Sequence, residues 1–283
     1  MKQLIVNADD FGLHTEINKG IIKGYQEGII TSTSIMPSAP AFQEAVELAK
    51  ANPELGIGIH LTLCTCVPSV LEASKVKTLL GDDGNFLPSY VGFAKRFYTG
   101  QVNKKELEAE LRAQFERALS QGINITHVDS HQHTHMLPGI NSLVIRLCKE
   151  YNVKRVRVPK EDYFFTGGYE VGLGRKIGRA GLSFCGDLAR PLVKKAGLKT
   201  TDHFFGMLAG CNLNTELVGN IIKALPEGVS EMMTHPGMSQ EILAKALPWD
   251  LHWENELAAN LAEENKKLLE IHNVTLTNFG RLD

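Results

Sequence analysis

Short apolar runs of strand length alternate with helix-period segments along almost the whole of this 283-residue chain, and that alternation limits its fold more than any other feature. Leu4-Ile5-Val6, Ser34-Ile35-Met36, Gly56 to Leu61, the run into His127, Arg155 to Val158, Phe204-Phe205, Val229 to Thr234 and Val274 to Asn278 read as strands. Between them, Thr15 to Gly28, Ala41 to Ala51, Asn103 to Gly122, Gly139 to Tyr151, Thr215 to Leu225 and a long stretch from Trp253 to Ile271 carry apolar residues at helical spacing. Thr15 is placed to cap the first helix, and Asn103 with Glu106 three positions on resembles a capping box. Strands separated by helices pair in parallel, so the expected fold class is α/β, a distorted (β/α) barrel of seven or eight mainly parallel strands.

A barrel of this kind takes roughly 250 residues, so one domain over 1–283 is expected. Two stretches break its rhythm. Residues 64–102 hold Pro68, Gly81-Asp82-Asp83-Gly84 and Pro88, and 160–200 are rich in glycine and basic residues; both read as excursions from the barrel. Within 172–199, Arg175, Lys176, Arg179, Arg190, Lys194, Lys195 and Lys199 mix with Leu173, Ile177, Leu182, Phe184, Leu188, Leu192, Val193 and Leu198 at near-helical spacing. That pattern suits one or two helices packed on the barrel or at a homodimer contact, or a peripheral contact with an anionic membrane.

A formal net charge of -2 gives no general attraction to nucleic acid, so no nucleic-acid partner is expected. Cys64, Cys66, Cys148, Cys185 and Cys211 form neither a disulfide framework nor a zinc-ribbon spacing, which fits reduced thiols in a cytoplasmic protein. The first strand runs into acidic residues and does not resemble a secretory leader, and no apolar stretch approaches membrane-spanning length.

The chemistry concentrates at strand exits. Thr126-His127-Val128-Asp129-Ser130-His131-Gln132-His133-Thr134-His135 places four histidines within nine positions beside a carboxylate, which suggests a metal or proton-transfer site. In a parallel barrel the C-terminal strand ends share one face, so Asp9 and Asp10, His60, His131 and His235 can converge there. One carboxylate and two imidazoles suit a divalent metal with open positions, and the second aspartate is free to take a proton from water. His235 can protonate a leaving amine, and the guanidinium of Arg157 can orient a carboxylate.

Asn7-Ala8-Asp9-Asp10-Phe11-Gly12, Thr31-Ser32-Thr33, Gly58-Ile59-His60-Leu61-Thr62, His127 to His135 and His235-Pro236 together resemble the YdjC-like carbohydrate deacetylases. The resemblance implies a barrel of the glycoside hydrolase/deacetylase type that binds Mg²⁺ or Zn²⁺ and removes an acetyl group from an N-acetylated sugar. It implies Asp10, His60 and His131 as metal ligands, Asp9 as base and His235 as acid. His127, His133 and His135 would support the ligands, face the substrate or serve structure, with His133 and His135 the substrate-facing candidates. Arg155-Val156-Arg157-Val158-Pro159 and Thr201 to Gly206 look like the branch associated with hopanoid biosynthesis, for which the implied substrate is an N-acetylglucosaminyl lipid. The competing expectations are a metal-dependent phosphoesterase or glycosidase on the same barrel, and a sugar- or metal-binding protein without catalysis.

Overall fold

The computed structural model describes residues 1–249 and 251–282. From the N-terminus, β1 (Lys2–Phe11), α1 (Thr15–Glu27), β2 (Ser32–Ile35), α2 (Phe42–Ala51) and β3 (Gly56–Leu61) alternate regularly. After a long irregular segment, α3 (Tyr90–Tyr98) and α4 (Lys104–Leu119) precede β4 (Ile125–Ser130) and α5 (Ile140–Glu150). Next come α6 (Leu173–Lys195), β5 (His203–Phe205), α7 (Thr215–Ala224) and β6 (Gly228–Thr234). Helices α8 (Gln240–Ala246), α9 (Trp253–Leu261) and α10 (Glu263–Ile271) lead to β7 (Val274–Leu276).

The strands form one sheet in the order β4-β3-β2-β1-β6-β5, and every ladder is parallel. Strand β7 lies on the N-terminal part of β1, pairing Lys2 to Leu4, while β2 pairs the C-terminal part from Asn7. Leu4, Ile5 and Val6 are fully buried because helices cover one face of the sheet and the barrel interior lies on the other. The class of fold is therefore the parallel α/β architecture that the alternation implies.

The barrel wall between β4 and β5 is made by single bridges. Val156 pairs with Val128, Arg155 with Lys199, and Glu161 with Phe204. The strand expected over Arg155 to Val158 thus shrinks to isolated pairings. Pro159 has no N–H to extend a ladder, and Lys160 N turns back to donate to Val158 O at 2.8 Å.

Three other local expectations change. The long helix expected from Trp253 to Ile271 breaks at Ala262, because Asn260 O accepts from Ile29 N at 3.1 Å and leaves the helical ladder. His14, not Thr15, caps α1: its Nδ1 accepts from Glu16 N at 3.0 Å, and the Thr15 hydroxyl donates to Glu44 instead. Asn103 caps α4 through Lys105 N, but Glu106 does not complete a capping box; it accepts from Thr78 N and Thr78 Oγ1 and so ties the excursion to α4.

Helix α1 lies backbone to backbone against the turn that follows β6. A Cβ on Gly20 would stand 2.6 Å from Gly237 Cα. Gly20→Ala should therefore lower stability by about 1–3 kcal/mol in urea unfolding, the usual cost of overpacking. Gly178→Ala on α6 meets nothing within 4 Å and should be neutral or stabilising by roughly 0.5–1 kcal/mol. Equal stability of the two variants would contradict this packing.

Candidate active site

The site begins with an irregularity in β1. Successive strand residues normally point to opposite faces, yet the β1–β2 register slips between Ala8 and Phe11, and Asp10 has φ +68°. The bulge turns Asp9 and Asp10 into the same cavity. A non-glycine residue in this region of backbone space is strained, which is common where a side chain must be aimed.

Register supplies the next layer. His60 on β3 pairs with Asp129 on β4, and their side chains meet at 2.7 Å through His60 Nδ1. Ser34 on β2 donates to Asp129 Oδ2 at 2.8 Å and lies 3.0 Å from the same ring nitrogen. With Nδ1 engaged, His60 presents Nε2 to Asp10 Oδ1 at 3.3 Å, while His131 Nδ1 approaches that oxygen at 2.8 Å. Donor atoms of Asp10, His60 and His131 lie within 4.8 Å of one another. They are nitrogen and oxygen donors of the kind that bind zinc or magnesium, and the carboxylate behind His60 fixes its ring. Burial opposes charge on His60, but Asp129, Asp10 and Asp9 outweigh it and push the imidazole up to about 10. The pocket is thus rich in buried negative charge.

Arg157 is fully buried below this triad. Its Nη1 and Nη2 each donate to an Asp9 oxygen at 2.7 Å, Nη1 also lies 2.9 Å from Asp129 Oδ2, and Nε donates to Glu231 at 2.6 Å. Burial opposes charge on Asp129, but Arg157 and then His60 hold its carboxyl below the ordinary range. Burial pushes Glu231 up to about 7 despite its contact with Arg157. Asn7 Nδ2 completes the support of Asp9 at 2.9 Å. Arg157 does not line the cavity, so it touches Asp9 and not a substrate.

His235 follows β6 on the cavity wall. Glu256 of α9 accepts from its backbone N–H, accepts from Thr234 Oγ1 at 2.8 Å and Leu213 N at 3.0 Å, and stands 3.7 Å from His235 Nδ1. Burial opposes a charged His235, but Cys211 and then Glu256 raise it well above an ordinary imidazole.

The remaining histidines separate clearly. His133 lines the cavity, its φ of +58° being left-handed, and its buried Nδ1 has no partner among the described residues. His135 is turned away: Nδ1 is 2.6 Å from Ser130 Oγ, and Nε2 donates to Arg157 O at 3.0 Å. The substrate-facing placement expected for His135 is therefore corrected, since both its nitrogens are occupied by the protein. His127 stacks on Phe279 at 3.8 Å over Gly58, whose missing Cβ would stand 2.4 Å from the ring. Burial pushes His127 down to about 3, so it stays neutral.

The cavity holds about 530 Å³, the size of a small-ligand site. Asp9, Asp10, His60, His131, His133 and His235 line its polar side; Leu182, Met207, Met233, Pro248, Trp249 and Leu251 form the other. Trp249 stacks on His131 with ring centroids 5.4 Å apart. The sequence gives Asp129 no role beyond its place in the histidine cluster, and it gives Glu231 and Glu256 none. Asp129 and Glu231 share strand parity with His131 and His235, a signal that could have found them, whereas Glu256 lies on a distant helix and gives none.

A parallel barrel with carboxylates and histidines gathered at the C-terminal strand ends defines a class of proteins whose chemistry is carried on that face. The chain belongs to the YdjC-like protein family, whose profile matches residues 3–270. It is 30% identical over 282 residues to a carbohydrate deacetylase of Thermoanaerobacter pseudethanolicus, covering all of both chains. A carbohydrate deacetylase of Brevibacillus brevis is 32% identical over 286 residues, with 99% of each chain covered. A crystal structure from Enterococcus faecalis V583, provisionally described as a cellobiose-phosphate cleavage protein, superposes with a TM-score of 0.78 at 25% identity, covering 98% of this chain and 97% of that one.

Replacing Arg157 tests the buried network directly. Arg157→Met should cost about 3–5 kcal/mol in urea unfolding, because it strands the carboxylates of Asp9 and Asp129 without their partner. Arg157→Lys should recover only part of that, since one ammonium cannot reproduce the fork. Wild-type stability in the methionine variant would refute the network's role.

Proposed function

We propose that this protein is a metal-dependent hydrolase that removes the acetyl group from an N-acetylated sugar, with Asp10, His60 and His131 holding one Mg²⁺ or Zn²⁺. The observation that carries this reading is the meeting of those three donors on a cavity also lined by Asp9 and His235. Charge supports it. Asp9, Asp129 and Glu231 share the single guanidinium of Arg157 and Asp10 lies beside them, so the cluster holds more carboxylate than that one permanent cation balances, which favours a bound cation. The carbohydrate deacetylases of T. pseudethanolicus and B. brevis, similar along their whole length, point to the same substrate class.

When bound, the metal supplies a Lewis acid that polarises the acetyl carbonyl and acidifies water. Asp9, held in a fixed direction by Arg157 and Asn7, takes a proton from the attacking water. Oxygen adds to the acetyl carbon, the C–N bond breaks, and His235 passes its proton to the departing amine nitrogen. Its protonated state is favoured by Cys211 and Glu256. His133 is held neutral by burial, and its ring lines the cavity within reach of a sugar hydroxyl. Trp249 offers an apolar face to the ring.

A phosphorylated substrate is less suited to this cavity. Among its described lining residues Arg175 is the sole Arg or Lys, and its guanidinium is occupied by the carbonyls of Leu208, Ala209 and Gly210. The apolar wall from Leu182 to Leu251 favours a second form of the same reading, an N-acetylated glycolipid in place of a soluble oligosaccharide.

The test is acetate release from N-acetylglucosamine, chitobiose and an N-acetylglucosaminyl lipid, with metal stripped and then restored. Activity should vanish on stripping and return with metal. His131→Ala should lose bound metal and turnover together. His235→Ala should retain metal and lose about 10²- to 10⁴-fold in kcat. Full turnover in His235→Ala would sink the acid role, and metal-independent release would sink the hydrolytic scheme.

A further inference from the structure

Helix α6 has its apolar residues in an unusual arrangement. A surface helix ordinarily buries its large apolar side chains and exposes polar ones. Here Ser183, Gly186, Ala189 and Val193 face the protein, while Leu173, Ile177, Phe184, Leu188 and Leu192 are 44–73% exposed. Phe164, in the segment leading to α6, is 92% exposed. The large side chains recur at intervals of four and seven and so form one stripe along a helix about 34 Å long. Contiguous exposed apolar surface of this kind marks an interaction site.

Charge identifies the partner. Residues 162–199 contain seven basic and three acidic side chains in a chain whose net charge is -2, and with Arg175, Arg179 and Arg190 held on backbone carbonyls the basic groups left to the surface are Lys176, Lys194, Lys195 and Lys199. Lys176, Lys194 and Lys195 are exposed at the two ends of the stripe, and Asp187 is already paired with Lys160 at 2.9 Å. We propose that this face of α6 docks on an anionic lipid bilayer, with its apolar side chains in the interface and its lysines on the headgroups. A second copy of the chain fits poorly. Any two-fold axis through the stripe sets lysines against lysines, either Lys176 against Lys176 when the helices run parallel or Lys176 toward Lys194 and Lys195 when they run antiparallel. No described helix is long and apolar enough to cross a membrane, so the contact lies along the surface. The same helix contributes Arg175 and Leu182 to the active-site cavity, which docking would bring close to the interface. This surface does not depend on the acetamide reading of the site.

The experiment is co-sedimentation of the full chain with phosphatidylcholine vesicles, with and without a quarter phosphatidylglycerol, at 50 and 500 mM salt. Binding is expected only to the anionic vesicles, weakening at least fivefold at high salt. The pair Phe184→Gln and Leu188→Gln should weaken it about tenfold or more, and the pair Lys194→Glu and Lys195→Glu should do the same. Wild-type helicity would establish that each variant is folded, since all four side chains are exposed or sit on the exposed face. Absence of binding to anionic vesicles at low salt, or binding indifferent to both pairs, would overturn the proposal. So would a dimer in sedimentation equilibrium that Phe184→Gln and Leu188→Gln dissolve, which would assign the stripe to a second copy.

Discussion

The buried guanidinium of Arg157 is the interaction on which this structure depends. It is the permanent cation that faces Asp9, Asp129 and Glu231, and each of those carboxylates comes from a different strand. A carboxylate taken out of water without a partner is costly, so β1, β4 and β6 can bring theirs together only around such a fork. Planarity matters as much as charge: Nη1 and Nη2 grip both oxygens of Asp9 while Nε points the other way to Glu231. The arrangement fixes Asp9 in direction and leaves Asp10, one residue on, for a different task.

Much of this site was legible in strand parity. Asn7 and Asp9, Gly58 and His60, His127, Asp129 and His131, and Glu231, Met233 and His235 each recur at intervals of two along their strands. Polar residues at that spacing within otherwise apolar strands mark an interior that is not a plain hydrophobic core. The convergence of Asp10, His60 and His131 follows from the parallel topology, because every such strand delivers its C-terminal end to the same face. Gly58 belongs to the same logic. It stands opposite His127 in the ladder, and only a residue without a Cβ leaves room for that ring.

What the sequence concealed depends on contacts remote along the chain or on one-residue irregularities. Strict alternation would have sent Asp9 and Asp10 to opposite faces; the bulge at Asp10 is a local event that pattern alone does not reveal. Glu256 reaches His235 from α9, and the break at Ala262 that shapes this region arises because Asn260 O turns to Ile29 N, over two hundred residues away. His135 looked like its neighbours in the cluster, yet the left-handed turn at Gln132 and His133 rotates the chain so that His133 faces the cavity and His135 faces the protein.

The charge within the barrel ties stability to activity. A pocket with more buried carboxylate than cation is destabilising in isolation, and neither Ser34 nor Asn7 can offset more than part of the cost, since each contributes hydrogen bonds and no charge. The protein tolerates it because the surrounding strands are fully buried and rigidly paired, so the carboxylates cannot relax apart. The same confinement makes the excess negative charge unfavourable, and that charge is the ground on which a divalent cation is proposed where Asp10, His60 and His131 meet. The proposed metal site and the direction in which Asp9 is held thus have a common origin in the way Arg157 is shared, satisfying Asp9 and Asp129 while leaving Asp10 to the imidazoles of His60 and His131.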